Sequence, residues 1–219
     1  MELKVLYEDE HLIAVEKPYG VLSQGNENVK SICDDIKSYL KAKGESDELF
    51  VLHRLDKTTG GAIVYAKTKD CASKMSALIQ NGDFHKVYYA VLCGELDKKS
   101  GAIADLLYHD KAKNKTYVVK RERKGVKEAK LCFVKHATAR YKGEAVTKIE
   151  VLLITGRTHQ IRVQFASRKF PLVGDRKYGA KISDDTIALW SHEINFKHPY
   201  KNEFVKITCD TNKGAFSVF

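Results

Sequence analysis

The run Ala145-Val146-Thr147-Lys148-Ile149-Glu150-Val151-Leu152-Leu153-Ile154, with the Thr155-Gly156-Arg157-Thr158-His159-Gln160-Ile161-Arg162-Val163 that follows it, decides the fold class. Its first ten residues are rich in Val, Ile and Leu and read as a strand. A glycine turn then leads into residues 158–168. There the spacing of Ile161, Phe165, Arg162 and Ala166 suits a short helix, capped by Thr158 and facing a sheet. The same strand-rich composition, broken by short polar turns, recurs at His85 to Cys93, Lys115 to Lys120, Ala129 to Ala137 and Ile187 to Phe196. Strands this frequent, with few helices between them, predict an α+β fold with a mixed, largely antiparallel sheet and flanking helices.

The N-terminal part adds a hairpin and two helices. Leu3 to Tyr7 and Leu12 to Glu16 read as strands around the polar turn Glu8-Asp9-Glu10-His11, and Lys17-Pro18-Tyr19-Gly20 ends the extended run. Val29, Ile32, Cys33, Ile36, Tyr39 and Leu40 recur at helical spacing, with Asn28 as a start signal and Gly44 as a stop. Phe50 to Arg54 and Ala62 to Ala66 read as strands on either side of a polar, glycine-bearing loop that holds Asp56. Thr68 caps a second expected helix, whose Ala72, Met75, Leu78 and Ile79 face inward and which stops near Asn81-Gly82. With no repeat and no low-complexity linker, residues 1–219 read as a single domain.

The formal net charge is +10, which favours a polyanionic partner. The excess is local: residues 111–142 hold twelve Lys and Arg against Glu122 and Glu128. A solvated hairpin and an arm that grips phosphates both fit that clustering. Cys33, Cys71, Cys93, Cys132 and Cys209 are scattered, without the paired spacing of a zinc or redox site, and read as reduced structural thiols. The first residues lack a signal peptide's apolar core and no window reads as a membrane span, so a cytoplasmic protein is expected.

No dinucleotide-binding glycine motif, phosphate-binding P-loop, zinc-peptidase signature or nucleophile elbow is present, which leaves the chemistry to ordinary side chains. His53-Arg54-Leu55-Asp56-Lys57-Thr58-Thr59-Gly60-Gly61 puts one carboxylate beside several cations in a loop of hydroxyls and glycines. A surface loop with salt bridges has the same composition. Thr155 to Val163 sets two arginines at a helix start, which suits an anion and equally suits a plain strand-to-helix corner.

Together these segments resemble the RNA pseudouridine synthases of the RluA-like branch. Four blocks match in order: Lys17-Pro18-x-Gly20; His53 to Lys67; Lys86-x-Tyr88-x-Ala90 with Gly94; and Thr155 to Val163 followed by Pro171-Leu172-Val173-Gly174-Asp175 and Tyr178-Gly179. The resemblance runs from about Tyr7 to Phe196 and implies a pseudouridine synthase catalytic fold without the N-terminal RNA-binding domain that many relatives carry. It implies that Asp56 is the essential aspartate, that Tyr88 lies against the target base, that Arg162 forms an ion pair with the aspartate, and that Ile161 packs near the uracil. Arg54, Lys86, Arg157 and His159 stand with Ile161 as candidate substrate-binding residues. The implied reaction needs no cofactor and no metal, its partner is ribosomal or transfer RNA, and the protein is expected to act as a monomer.

The chemistry is consistent with that set. The N1–C1′ bond of uridine breaks, the uracil turns, and C5 joins C1′, with no net oxidation. An ionised carboxylate can attack the sugar or base, or remove a C2′ proton; the sequence leaves both open. A base-releasing glycosylase and a silent RNA-binding module are the rival classes, and the intact Asp56, Tyr88 and Arg162 argue against the second. Three positions depart from the common pattern: Thr59 stands for the usual serine, Gly61 for a larger apolar residue, and Gln164 where histidine is frequent.

Overall fold

The computed structural model describes residues 3–25 and 29–219. In chain order the first elements are β1 (Val5–Glu8), β2 (Leu12–Lys17), α1 (Ile32–Ala42), β3 (Phe50–Val51), β4 (Gly60–Ala66) and α2 (Lys69–Asn81). There follow β5 (Phe84–Cys93), β6 (Ser100–Asp110), β7 (Lys115–Val119), β8 (Val126–Tyr141) and β9 (Glu144–Leu153). Last come α3 (Gln160–Ala166), β10 (Leu189–Lys197) and β11 (Phe204–Thr208), with short 3-10 turns at Arg176–Tyr178 and Gly214–Val218. This is the expected α+β class. The chain gathers into two compact units, Met1–Lys86 with Ser191–Asp210 and Val87–Trp190 with Thr211–Phe219.

In the first unit β1 and β2 form the expected hairpin, and β2 runs antiparallel to β4 from Leu12↔Ala66 to Lys17↔Gly61. β4 is buried along its whole length, as the continuous apolar run Ala62-Ile63-Val64-Tyr65-Ala66 requires. The β3 strand is shorter than the sequence suggested. It pairs with β4 through Val51↔Tyr65 and stops, because side chains take over its hydrogen bonds. The His53 Nε2 accepts the Val64 N–H at 3.2 Å, and the Ser23 hydroxyl both accepts from Leu55 N–H at 2.9 Å and donates to Leu55 C=O at 2.8 Å.

Helix α1 begins at Ile32, with Ser31 and Asp34 in a reciprocal capping box, so Val29 lies outside it and is exposed. Asn28, the expected start signal, is outside the described residues. Helix α2 has the expected ends: the Thr68 hydroxyl accepts the Cys71 N–H at 3.2 Å and Gly82 ends the helix at φ 86°. Of the residues expected to face inward, Met75 is buried and Ala72, Leu78 and Ile79 are half-buried, while Cys71 is buried as well.

In the second unit the strand order is β5-β9-β8-β6-β7, and β9, β8, β6 and β7 are antiparallel neighbours. Strand β8 overruns the expected range at both ends and carries a register shift between Lys135 and Ala137. Strand β6 was not expected. Its Ser100-Gly101-Ala102 start has small residues of low strand preference, yet a Cβ at Gly101 would lie 2.9 Å from the Phe133 ring, so close packing explains the glycine. Helix α3 lies over this sheet, with Phe165 edge-on to Phe133 at 5.5 Å and Val163 packed with Leu107 and Ala129.

The start of α3 corrects the sequence reading. It is not Thr158 but His159 that precedes the helix, in the left-handed region at φ 55°, and no side chain caps it. The turn is closed instead by Gln160, whose Oε1 accepts from the Thr155 hydroxyl at 2.8 Å and the Arg157 N–H at 3.0 Å while its Nε2 donates to Lys130 C=O at 3.0 Å. Among the described residues no helix is long and apolar enough to cross a membrane.

Candidate active site

Asp56 sits half-buried in the loop between β3 and β4, as the sequence predicts. That loop is fixed on both sides. Ser23 grips Leu55, the Thr59 N–H donates to Asp56 C=O at 3.0 Å, and the Gly20 N–H donates to Lys57 C=O at 2.8 Å, tying the turn after β2 to the carboxylate loop. Thr59, in place of the usual serine, is buried. Gly61 is obligatory: at φ +112° a Cβ would stand 2.3 Å from the Ser191 carbonyl oxygen.

Lys17 is the feature of this region that sequence reasoning passed over. Its side chain is wholly buried, and its ammonium donates to Pro18 C=O at 3.0 Å and Val21 C=O at 2.8 Å. Burial lowers its pKa to about 8, against the opposing pull of the Asp56 charge. A buried cation therefore lies within electrostatic reach of the candidate carboxylate. The signal in the sequence is the Lys17-Pro18-x-Gly20 block, which by itself does not show that the lysine is buried.

Of the other candidates in this unit, Arg54 is exposed and Lys86 half-buried, with burial lowering the Lys86 pKa. His53 is held neutral, its pKa lowered to about 3 by burial and then by the Lys86 charge. Because its Nε2 accepts from Val64, its ring proton is assigned to Nδ1. His53 is thus a structural member of the loop.

The second unit holds Tyr88, Arg157, His159, Ile161 and Arg162. Tyr88 is buried, while Tyr89 points to the opposite face of β5 and meets His136 edge-on at 5.5 Å and the Lys148 ammonium at 4.5 Å from its ring. Strand alternation therefore separates the two tyrosines. Ile161 is 3% exposed and Arg162 4%. Arg157 is half-buried and donates its Nε to Glu128 C=O at 2.9 Å.

The partner that this unit supplies to Arg162 is Asp175, another residue to which the sequence assigned no role. The two form a two-pronged pair, Nε to Oδ2 at 2.7 Å and Nη2 to Oδ1 at 2.9 Å, with Asp175 at 0% exposure. The guanidinium also lies 5.2 Å from the Tyr178 ring. His159 faces the Tyr178 hydroxyl through Nδ1 at 2.9 Å. Gln164 is structural, donating to Asp105 at 2.8 Å, a carboxylate that Arg168 also grips.

Among the described residues no three His, Cys, Asp or Glu side chains gather as a metal site.

Comparison with known proteins gives these features a context. A family profile described as RNA pseudouridylate synthase matches residues 11–167. The dual-specificity RNA pseudouridine synthase RluA of Vibrio parahaemolyticus is 32% identical over 212 residues, covering 94% of this chain and 83% of that one. The ribosomal large subunit pseudouridine synthase D of Pseudomonas aeruginosa is 31% identical over 191 residues, covering 86% of this chain and 57% of that one. The solved structure of human RNA pseudouridylate synthase domain containing 1 superposes with a TM-score of 0.78 at 21% identity, over 96% of this chain and 84% of that one, which shows the shared fold. On the profile match and on relatives above 30% identity, the chain belongs to the RNA pseudouridylate synthases, enzymes that isomerise uridine to pseudouridine in RNA.

Proposed function

We propose that Asp56 is the essential carboxylate of this isomerase, that the reaction runs without cofactor, and that its substrate is a uridine in folded ribosomal or transfer RNA. The observation that carries the assignment is the Asp56 loop: a half-buried carboxylate on a backbone pinned by Ser23 and Gly20, with the buried Lys17 cation sensing its charge. The Pseudomonas relative, a ribosomal large subunit pseudouridine synthase, supports ribosomal RNA as the substrate class.

In this reading the whole chain acts as one catalytic domain and as a monomer. Tyr88 lies against the flipped uracil and Ile161 packs on it, which offsets part of the few kcal/mol that unstacking costs. Arg162 is the cation that keeps the catalytic carboxylate ionised, and its planar fork supplies the direction that a point charge lacks. Arg54, Lys86, Arg157 and His159 serve the RNA. The carboxylate opens the N1–C1′ bond either by adding to the nucleoside or by taking a C2′ proton, and each route returns its electrons when C5 bonds to C1′. The product has the mass of the substrate.

The test is Asp56→Asn, which is nearly isosteric and deletes only the ionised acid. Turnover should vanish while RNA affinity stays within a few-fold. Wild-type digests should contain a nucleoside isobaric with uridine and no free uracil. Pseudouridine formation by the purified variant at near-native rate would remove Asp56 from the mechanism.

A further inference from the structure

Asp175 fixes two nitrogens of Arg162 in the plane of the guanidinium, which leaves tilt out of that plane to be controlled by whatever lies on its face. That group is Tyr178, whose ring centre is 5.2 Å from the guanidinium carbon. Tyr178 lies three residues beyond Asp175, on the 3-10 turn Arg176–Tyr178, and its N–H donates to Asp175 C=O at 3.1 Å. Clamp and platform therefore come from one short stretch of chain.

The platform is itself tied down. The Tyr178 hydroxyl accepts the Thr116 N–H from β7 at 2.8 Å and is hydrogen-bonded to His159 Nδ1 at 2.9 Å. Thr116, 1% exposed, donates its hydroxyl to Thr158 C=O at 2.8 Å and accepts from His109 Nδ1 at 3.0 Å. Lys177 donates to Asn114 C=O at 2.9 Å just before β7. Burial raises the Tyr178 pKa, so the hydroxyl keeps its proton through neutral pH.

We propose that Tyr178 is the positioning residue of Arg162, its hydroxyl serving as a bolt that joins the 3-10 turn, β7 and the entry to α3 so that the guanidinium holds one tilt. An ordinary core tyrosine packed on Val163 and Leu107 would contribute to stability alone. The proposal rests on the reading that Arg162 serves the reaction.

The experiment compares Tyr178→Phe, Arg162→Lys and the double variant in single-turnover pseudouridine formation at saturating RNA, with RNA affinity measured alongside. Tyr178→Phe keeps the ring and deletes the bolt. It should slow the chemical step about tenfold, on the scale that small misplacements of catalytic groups cost, with affinity within twofold. If the bolt acts through Arg162, the double variant should be no slower than Arg162→Lys alone. Tyr178→Phe at wild-type rate, a loss confined to affinity, or a double variant slowed by the product of the two single effects would each overturn the proposal. Arg162→Lys at wild-type rate would instead overturn the underlying reading. Should Tyr178→Phe fail to fold, Thr116→Val decides: it spares the Thr116 N–H, cuts the tie to Thr158, and should slow the step about threefold at unchanged affinity, whereas wild-type rate would overturn the proposal.

Discussion

Among the described residues two lysine or arginine side chains are buried, Lys17 and Arg162, and their settings differ. Lys17, in the first unit, gives its ammonium to two backbone carbonyls; Arg162, in the second, gives two nitrogens to the buried Asp175 carboxylate. Carbonyl dipoles only partly offset the desolvation of a full charge, so the Lys17 pKa falls to about 8, whereas arginine keeps its charge and needs a counter-ion to be tolerated inside. A lysine held in this way stays within reach of titration. An arginine held in this way is a fixed, directed charge.

The largest expected effect comes from breaking the arginine side of this contrast. Asp175→Ala strips Arg162 of its buried carboxylate, and removal of one partner from such a pair costs about 3–5 kcal/mol. Urea unfolding should show that loss. A change below about 1 kcal/mol would mean that the fork is not held by Asp175 in solution.

The lysine side predicts a smaller, pH-dependent term. The folded protein releases the Lys17 proton near pH 8, whereas the unfolded chain keeps it up to about 10.5. Between those values the unfolded state binds more protons, so this group makes stability rise with pH. Lys17→Met removes the term. The stability of wild type relative to the variant should therefore grow by about 2 kcal/mol between pH 7.5 and 9.5. Arg162→Met should show no such change, because arginine does not titrate there. Parallel pH profiles for wild type and Lys17→Met would place the Lys17 pKa at its ordinary value and erase the contrast.

What the sequence could reveal follows the same division between local and distant. The β1–β2 hairpin, helix α2 with its Thr68 and Gly82 ends, and the Asp56 loop were legible because each is set by neighbouring residues. Strand β6 was not, since it opens on the small residues Ser100-Gly101-Ala102 and its long pairing is with β8, up to 34 positions away. Strand β11 was passed over although Phe204-Val205-Lys206-Ile207-Thr208 alternates as a half-buried strand does. Helix α3 was found but its start misjudged, because Gln160 reaches back to close the turn that a Thr158 cap was expected to close. In the candidate site the motif blocks located Asp56, Tyr88 and Arg162. The burial of Lys17, the Arg162–Asp175 pair and the contacts of the Tyr178 hydroxyl stayed hidden. A lysine before proline reads as surface until its burial is known, and the Thr116–Tyr178 bond joins residues 62 positions apart.

The last and smallest effect concerns a third class of cation, the exposed ones. Lys120, Arg121, Arg123 and Lys124 cluster in the β7–β8 connection, and Arg123 lies 4.6 Å over the Tyr108 ring. Unlike Lys17 and Arg162, they carry little desolvation cost, so neutralising them should leave stability nearly unchanged. If they meet phosphates, each lost contact should flatten the dependence of log affinity on log salt by roughly 0.7–0.9, because fewer counterions are released on binding. Affinity should weaken most at low salt, and the single-turnover rate at saturating RNA should stay near wild type, since none of the four belongs to the Arg162 or Asp56 surroundings. The measurement is RNA binding of the fourfold variant at several salt concentrations. An unchanged slope would make this segment a solvated face, and would leave the buried cations as the ones with a function.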